Sequence, residues 1–254
     1  MNRPLGDFLR SRRTNIKPDE RSGSNRQRRR TAGLKREEVA ERAGISTEWY
    51  VKIEQGRAGN PSAETIEALG KALLLNESEM AHLCSLASAR TRKPFIREWV
   101  PDKLREIVMS LAEPAYLTGQ RFDVLAWNEA AAALFPDLLT MNDEDRNVLF
   151  WMLTKPAARE LFGSSWENEA RRIVSLFRAS YDLWPDDPAF AELLNRVRTQ
   201  SDAFDAWWSE HEVGAPLFGN KDLYHPQFGI VRYAYASFQS NDDPALKLSI
   251  YTRC

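Results

Sequence analysis

The sequence predicts an α+β protein in two parts: an amino-terminal all-α domain of five helices, then a domain combining a small antiparallel sheet with several helices. Three observations predict it. Residues 34–57, LKREEVAERAGISTEWYVKIEQGR, have the spacing of two short helices joined by a tight Gly-Ile-Ser turn. Beyond residue 100 the apolar pattern alternates between helical and strand periods. Charge is divided as well. Residues 1–36 carry twelve Lys/Arg against three Asp/Glu, and residues 98–254 carry fifteen against twenty-four, so a net charge of −1 hides a basic head and an acidic body.

In order, residues 5–13 read as a first helix with Leu5, Phe8 and Leu9 inward. Residues 14–30 form a Ser/Asn/Arg-rich insert with Pro18 and Gly23. It reads as a basic arm for backbone phosphate or a minor groove, against the alternative of a solvated loop. In the helix over about 35–43, Val39, Ala40 and Ala43 share one face, and the small alanines let a neighbour cross closely. Gly44 ends it, Ile45 plugs the gap, and Ser46 caps a helix starting at Thr47 whose buried face is Tyr50 and Ile53. Pro61-Ser62 opens a helix over 62–75 with Ile66, Leu69, Ala72 and Leu73 inward. A fifth, over 77–89, turns Met80, Leu83, Cys84 and Leu86 inward, which makes Cys84 a core residue. The run ending at Pro94 marks the boundary: domains 1–90 and 102–254, with a linker over 91–101.

Two helices at this spacing are a helix-turn-helix, which implies double-stranded DNA as a partner. The second helix leaves Thr47, Glu48, Trp49, Val51 and Lys52 toward solvent. Ser46, Thr47, Glu48, Trp49 and Lys52 are the candidates at its DNA-facing end, and Arg28, Arg29, Arg30, Arg36 and Arg57 the candidates for phosphate. The segments REEVAERAGIS, YVKIEQGR and PSAETIEALGKAL resemble the XRE (Cro/repressor-like) helix-turn-helix family. The alternative is an antitoxin or adaptor that binds protein through the same helical module. The basic head argues against it, being the electrostatic footprint of phosphate binding.

In the second part, 102–112 is helical by Leu104, Ile107, Val108 and Leu111. Residues 115–117 and 122–127 read as strands around Gly119-Gln120, and a helix begins over 128–135. Residues 166–181 and 187–197 show sustained helical faces. Residues 230–238 and the Leu246, Leu248, Ile250 alternation are strands, joined through Asn241-Asp242-Asp243-Pro244. The expected object is a sheet covered on one side by helices. RFDVLAWNEAAAALF, RNVLFWMLTKPAARELF, SWENEARRIVSLFR, PDDPAFAELLNRVRTQSDAFDAWWSEHEV and LYHPQFGIV resemble the MmyB-like ligand-binding domain that follows an XRE module in bacterial transcription regulators. The long insert before LKREEVA, unusual for a plain XRE protein, is usual in that subfamily. The resemblance implies a PAS-like fold and a fatty-acid-like ligand.

No Gly-x-Ser-x-Gly elbow, His-Glu-x-x-His pair, phosphate-cradling glycine loop or paired-cysteine signature is present, so neither an enzyme nor a metal site or cofactor is expected. Seven of the eight tryptophans lie at or after Trp99. Trp127, Trp151, Phe177, Trp207, Trp208 and Tyr233 exceed what a core of this size needs, which points to an apolar pocket; the alternative for each is plain core. Asn128 and Asn147, inside or beside apolar runs, either pin turns or face a ligand head group. For an acidic ligand Arg146 and Arg178 are the first candidates to pair its carboxylate, with Arg121, Arg159 and Arg172 reading as more exposed. Two cysteines, a polar start and the lack of a long apolar run fit a cytoplasmic protein without a membrane span. A homodimer is expected, because one short helix reads few base pairs and a second half-site supplies the remainder.

Overall fold

The computed structural model describes residues 3–16, 33–59, 61–88, 94–184, 187–209, 219–225 and 229–254. The chain divides into two compact units, Met1–Lys93 and Pro94–Cys254. Residues 94–101, which the sequence pattern assigns to a linker, are part of the second unit. The Phe95 amide donates to Asp187 Oδ2 at 2.7 Å, and its ring meets Phe190 and Trp184 edge-on.

The first unit contains α1 (Arg3–Asn15), α2 (Arg36–Arg42), α3 (Thr47–Glu54), α4 (Ala63–Ala72) and α5 (Glu77–Ser88). Its helix starts are chemical. Ser46 and Ser62 each accept a hydrogen bond from the amide three residues on, at Trp49 and Thr65, both at 3.2 Å. Gly44, with φ of 65°, turns the chain between α2 and α3. Leu5, Leu9, Val39, Tyr50, Ile53, Leu69, Leu83 and Leu86 form the core. Cys84 is not among them. One residue is 100° around a helix, and the inner face of α5 runs through His82, Leu83 and Leu86, with His82 edge-on to Phe8, so Cys84 is exposed.

The second unit holds a five-stranded antiparallel sheet of order β2-β1-β5-β4-β3: β1 (Ala115–Thr118), β2 (Val124–Trp127), β3 (Gly219–His225), β4 (Gly229–Gln239) and β5 (Lys247–Arg253). This is the expected α+β arrangement, but the sheet is covered on both faces. Side chains alternate along a strand. Ala115, Leu117, Leu248 and Ile250 face α6 (Asp102–Ser110), which adds Leu104 and Val108. Tyr116 and Tyr251, on the other face, meet the large core made by the helices inserted between β2 and β3. Those are α7 (Glu129–Leu134), α8 (Asp137–Thr140), α9 (Val148–Thr154), α10 (Pro156–Phe162), a 3₁₀ turn (Gly163–Ser165), α11 (Trp166–Tyr181), α12 (Pro188–Gln200) and α13 (Phe204–Ser209). No helix among the described residues is long and apolar enough to cross a membrane.

Candidate functional site

Two places carry chemistry. The first is the outward side of α3. Glu48 and Lys52 are exposed, Thr47 and Trp49 half-buried, and Arg57 lies exposed just past the helix. Lys52 Nζ lies 2.8 Å from Glu48 Oε1, one turn apart, and holds that carboxyl below its usual range. An ion pair this exposed opens at little cost. Ser46 uses its hydroxyl oxygen on the cap. Arg28, Arg29 and Arg30 lie outside the described residues.

What positions α3 is a buried carboxylate. Glu54, at the end of α3, is 1% exposed in its side chain and accepts from two arginines. Arg13 of α1 approaches with Nε at 2.8 Å and Nη2 at 3.0 Å; Arg36 of α2 approaches with Nε at 3.0 Å and Nη2 at 2.8 Å. Arg13 also donates to the Leu34 carbonyl at 2.9 Å, tying the chain that follows the insert to α1. Burial alone would push Glu54 up; the arginines outweigh it and hold the carboxyl below its usual range. Arg36, a phosphate candidate by sequence, therefore spends part of its guanidinium inside the protein. Gly6 lets α1 come this close, since a Cβ there would stand 2.3 Å from the Glu54 carbonyl oxygen.

The second place is a cavity of about 50 Å³ between the inner face of the sheet and α9 and α11. Phe135, Leu138, Met141, Trp151 and Met152 give it an apolar end, and Tyr116, Tyr235 and Tyr251 line the sheet side. Its charged wall is Glu169 and Arg172 of α11 with Lys221 of β3. Glu169 Oε2 receives Arg172 Nε at 3.0 Å, Arg172 Nη2 at 2.9 Å and Lys221 Nζ at 2.7 Å. Burial would raise Glu169, but the two cations keep it low. Burial, reinforced by Arg172 and opposed by Glu169, brings Lys221 down to about 8. At neutral pH two cations share one carboxylate in an apolar site, so the wall carries an excess positive charge.

Trp151, Arg146 and Asn147 of the sequence candidates line this cavity. The polar atoms of the latter two are committed to the fold. Arg146 donates to the carbonyls of Leu138 (3.0 Å) and Met141 (2.6 Å) and to Asp143 (3.2 Å). Asn147 caps α9 through Leu149 (3.0 Å) and Phe150 (3.2 Å) and donates to Arg121 O (2.7 Å) and Asp123 (3.0 Å). Asn128 pins a turn in the same way: it accepts from Ala115 and Ala131 and donates to the Leu111 and Glu113 carbonyls. Trp127 is covered by the Arg146 guanidinium at 4.7 Å. Phe177, Arg178 and Trp207 belong to the helical core away from the cavity, with Arg178 stacked on Trp208 at 4.2 Å. Tyr233 packs on the far side of Tyr251. Sequence pattern passed over Glu169, Lys221, Tyr235 and Tyr251, and read Arg172 as exposed. Arg172 and Glu169 sit three apart in α11, on the same side as Ile173, and only that spacing signals them.

A helix-turn-helix in one unit and a charged, apolar-walled cavity in the other are the two parts of a ligand-responsive transcription regulator. A family model of the MmyB-like transcription regulator ligand binding domain matches residues 100–253, and one of a helix-turn-helix domain matches residues 26–83. The chain belongs to the MmyB-like transcription regulators. No curated protein matches it.

Proposed function

We propose that this regulator binds operator DNA as a homodimer through α3 and that its effector is an amphiphilic acid of fatty-acid type held in the cavity of the second unit. The observation carrying this reading is the excess positive charge of the Glu169, Arg172 and Lys221 wall against apolar rings: the complement is an anion attached to an apolar chain. Thr47, Glu48, Trp49 and Lys52 meet base edges; Arg57 and the arginines of the insert meet phosphate.

A cavity of about 50 Å³ holds only a few waters, so an acyl chain enters by moving the wall. Phe135 and Trp151, edge-to-face at 5.6 Å, divide the cavity from an outer groove of about 520 Å³ bounded by α7, α8, α10 and β3. Trp151 is held there by a 2.8 Å hydrogen bond from Nε1 to Asp137. Rotation of this indole joins groove and cavity, which makes it the entry gate in our reading.

The test is operator affinity of the full chain with and without dodecanoate, at several salt concentrations. A ligand-dependent affinity that falls steeply with salt supports the reading. Identical affinities remove the effector, and a shallow salt dependence points instead to a protein-binding adaptor.

A further inference from the structure

A second chamber of about 70 Å³ lies further along the inner face of the sheet. It shares Tyr116, Val148, Arg172, Ile173 and Tyr235 with the first, so the two adjoin across these side chains, and a ligand occupying both would run between them as through one channel. The strand register sets the character of each. Tyr251 lies opposite Tyr235, giving the first chamber an aromatic floor. One step along, Ser249 lies between Tyr116 and Ser237; the next places Lys247 between Thr118 and Gln239. Thr118, Ser237, Lys247 and Ser249 all line the second chamber, with Phe122 and Leu176 opposite. The sheet thus passes from rings to hydroxyls to an ammonium.

Lys247 differs from the first chamber's lysine in pairing with no carboxylate among the described residues. The Phe122 ring lies near it, with Nζ 5.9 Å from the centroid. Desolvation lowers its pKa with nothing opposing it. Lys247 is half-buried, so its ammonium is partly stripped of water without a carboxylate to replace it, and an anion placed among these hydroxyls would complement it. Arg172, shared by both chambers, adds to the attraction, while its partner Glu169 faces only the first.

We propose that the second chamber is the subsite for the ligand's anionic group, with Lys247 as its counter-ion and Thr118, Ser237 and Ser249 as hydrogen-bonding partners, while the apolar chain runs back past Arg172 into the aromatic chamber. This rests on the reading of the channel as the effector site.

The experiment compares dodecanoate with 1-dodecanol on full-length wild type, Lys247→Met, Lys247→Gln, Arg172→Met and Lys221→Met, following binding by tryptophan fluorescence. Wild type is expected to prefer the acid. Lys247→Met and Lys247→Gln are expected to lose about tenfold or more of acid affinity, as for one hydrogen-bonded charge, while binding the alcohol unchanged. Without ligand, Lys247→Met should melt no lower than wild type, since it removes a half-buried charge that has no carboxylate partner among the described residues. If both Lys247 variants keep the acid preference and Arg172→Met or Lys221→Met abolishes it, the subsite is wrong and the channel remains the effector site. A fall of several degrees for Lys247→Met overturns the proposal by making the lysine structural. If wild type binds neither probe, the reading of the channel fails and the subsite with it.

Discussion

A carboxylate nearly sealed from water is tolerated in Glu54 because four guanidinium N–H groups reach it. Glu54→Gln keeps the shape but leaves two partly buried arginines, Arg36 the more exposed, short of their anion, and should destabilise the first unit by about 2–3 kcal/mol in urea unfolding. The pH dependence has a definite sign. The folded carboxyl sits below its unfolded value of about 4.3, so its contribution is complete above that value and lost as pH falls through the folded one. The Gln variant should lack that acid limb. Lys221 works in the other direction: its folded value of about 8 means that the cavity wall loses a positive charge as pH rises through 8. Lys221 acts on the acid at a distance from the proposed Lys247 subsite, so affinity for dodecanoate should fall above pH 8 in wild type and fall less steeply in Lys221→Met, as titration calorimetry at pH 7 and 9 would report. None of this was legible in residue type alone. Lys221 stands at an inward position of a strand, where alternation leads one to expect an apolar side chain, and Glu54 follows Ile53 on a face read as ending there.

Elements with a local cause were readable. Ser46 and Ser62 start helices because their hydroxyls satisfy orphan amides, and Gly44 turns the chain because it tolerates positive φ; both effects act over a few residues and leave a mark in them. The strand β3 left none. It is an edge strand, GNKDLYH, of which only Leu223 is buried, so its pairing with β4 decides its conformation rather than any periodicity of its own. Covering the outer face of the sheet with α6 is likewise a tertiary choice that no single segment announces. The wall helix α9 depends on one residue. Asn147 supplies the cap of α9 and joins it to Arg121 and Asp123, while Val148, Trp151 and Met152 of the same helix line the cavity. Asn147→Ala orphans two buried amides and a carbonyl, and should cost about 2–4 kcal/mol. Tryptophan fluorescence is the suitable readout, because seven of the eight tryptophans lie in the second unit. An unchanged urea midpoint would show that α9 starts without it.

Across the whole molecule, charge separates the two tasks: the basic head attracts phosphate and the acidic body is repelled from it, so the duplex is directed to the first unit. Control by a ligand needs more than two competent sites. In the proposed dimer the ligand must bind one arrangement more tightly than another, and whatever factor it imposes on operator affinity, operator must impose on ligand affinity. The segment over 94–101 bears on where that coupling resides. It is fastened to the second unit through Phe95 and through Glu98, which accepts from the Gln120 amide at 2.8 Å, so a change in the second unit carries the chain up to Pro94 with it. We predict that dodecanoate changes operator affinity by a factor within about 5–150, and that saturating operator changes dodecanoate affinity by the same factor. Measuring both arms of the cycle on one preparation checks it. A change in one arm without an equal change in the other would mean that the acid acts outside the DNA-bound dimer, through aggregation or denaturation, and unity in both would leave the cavity occupied without consequence for DNA.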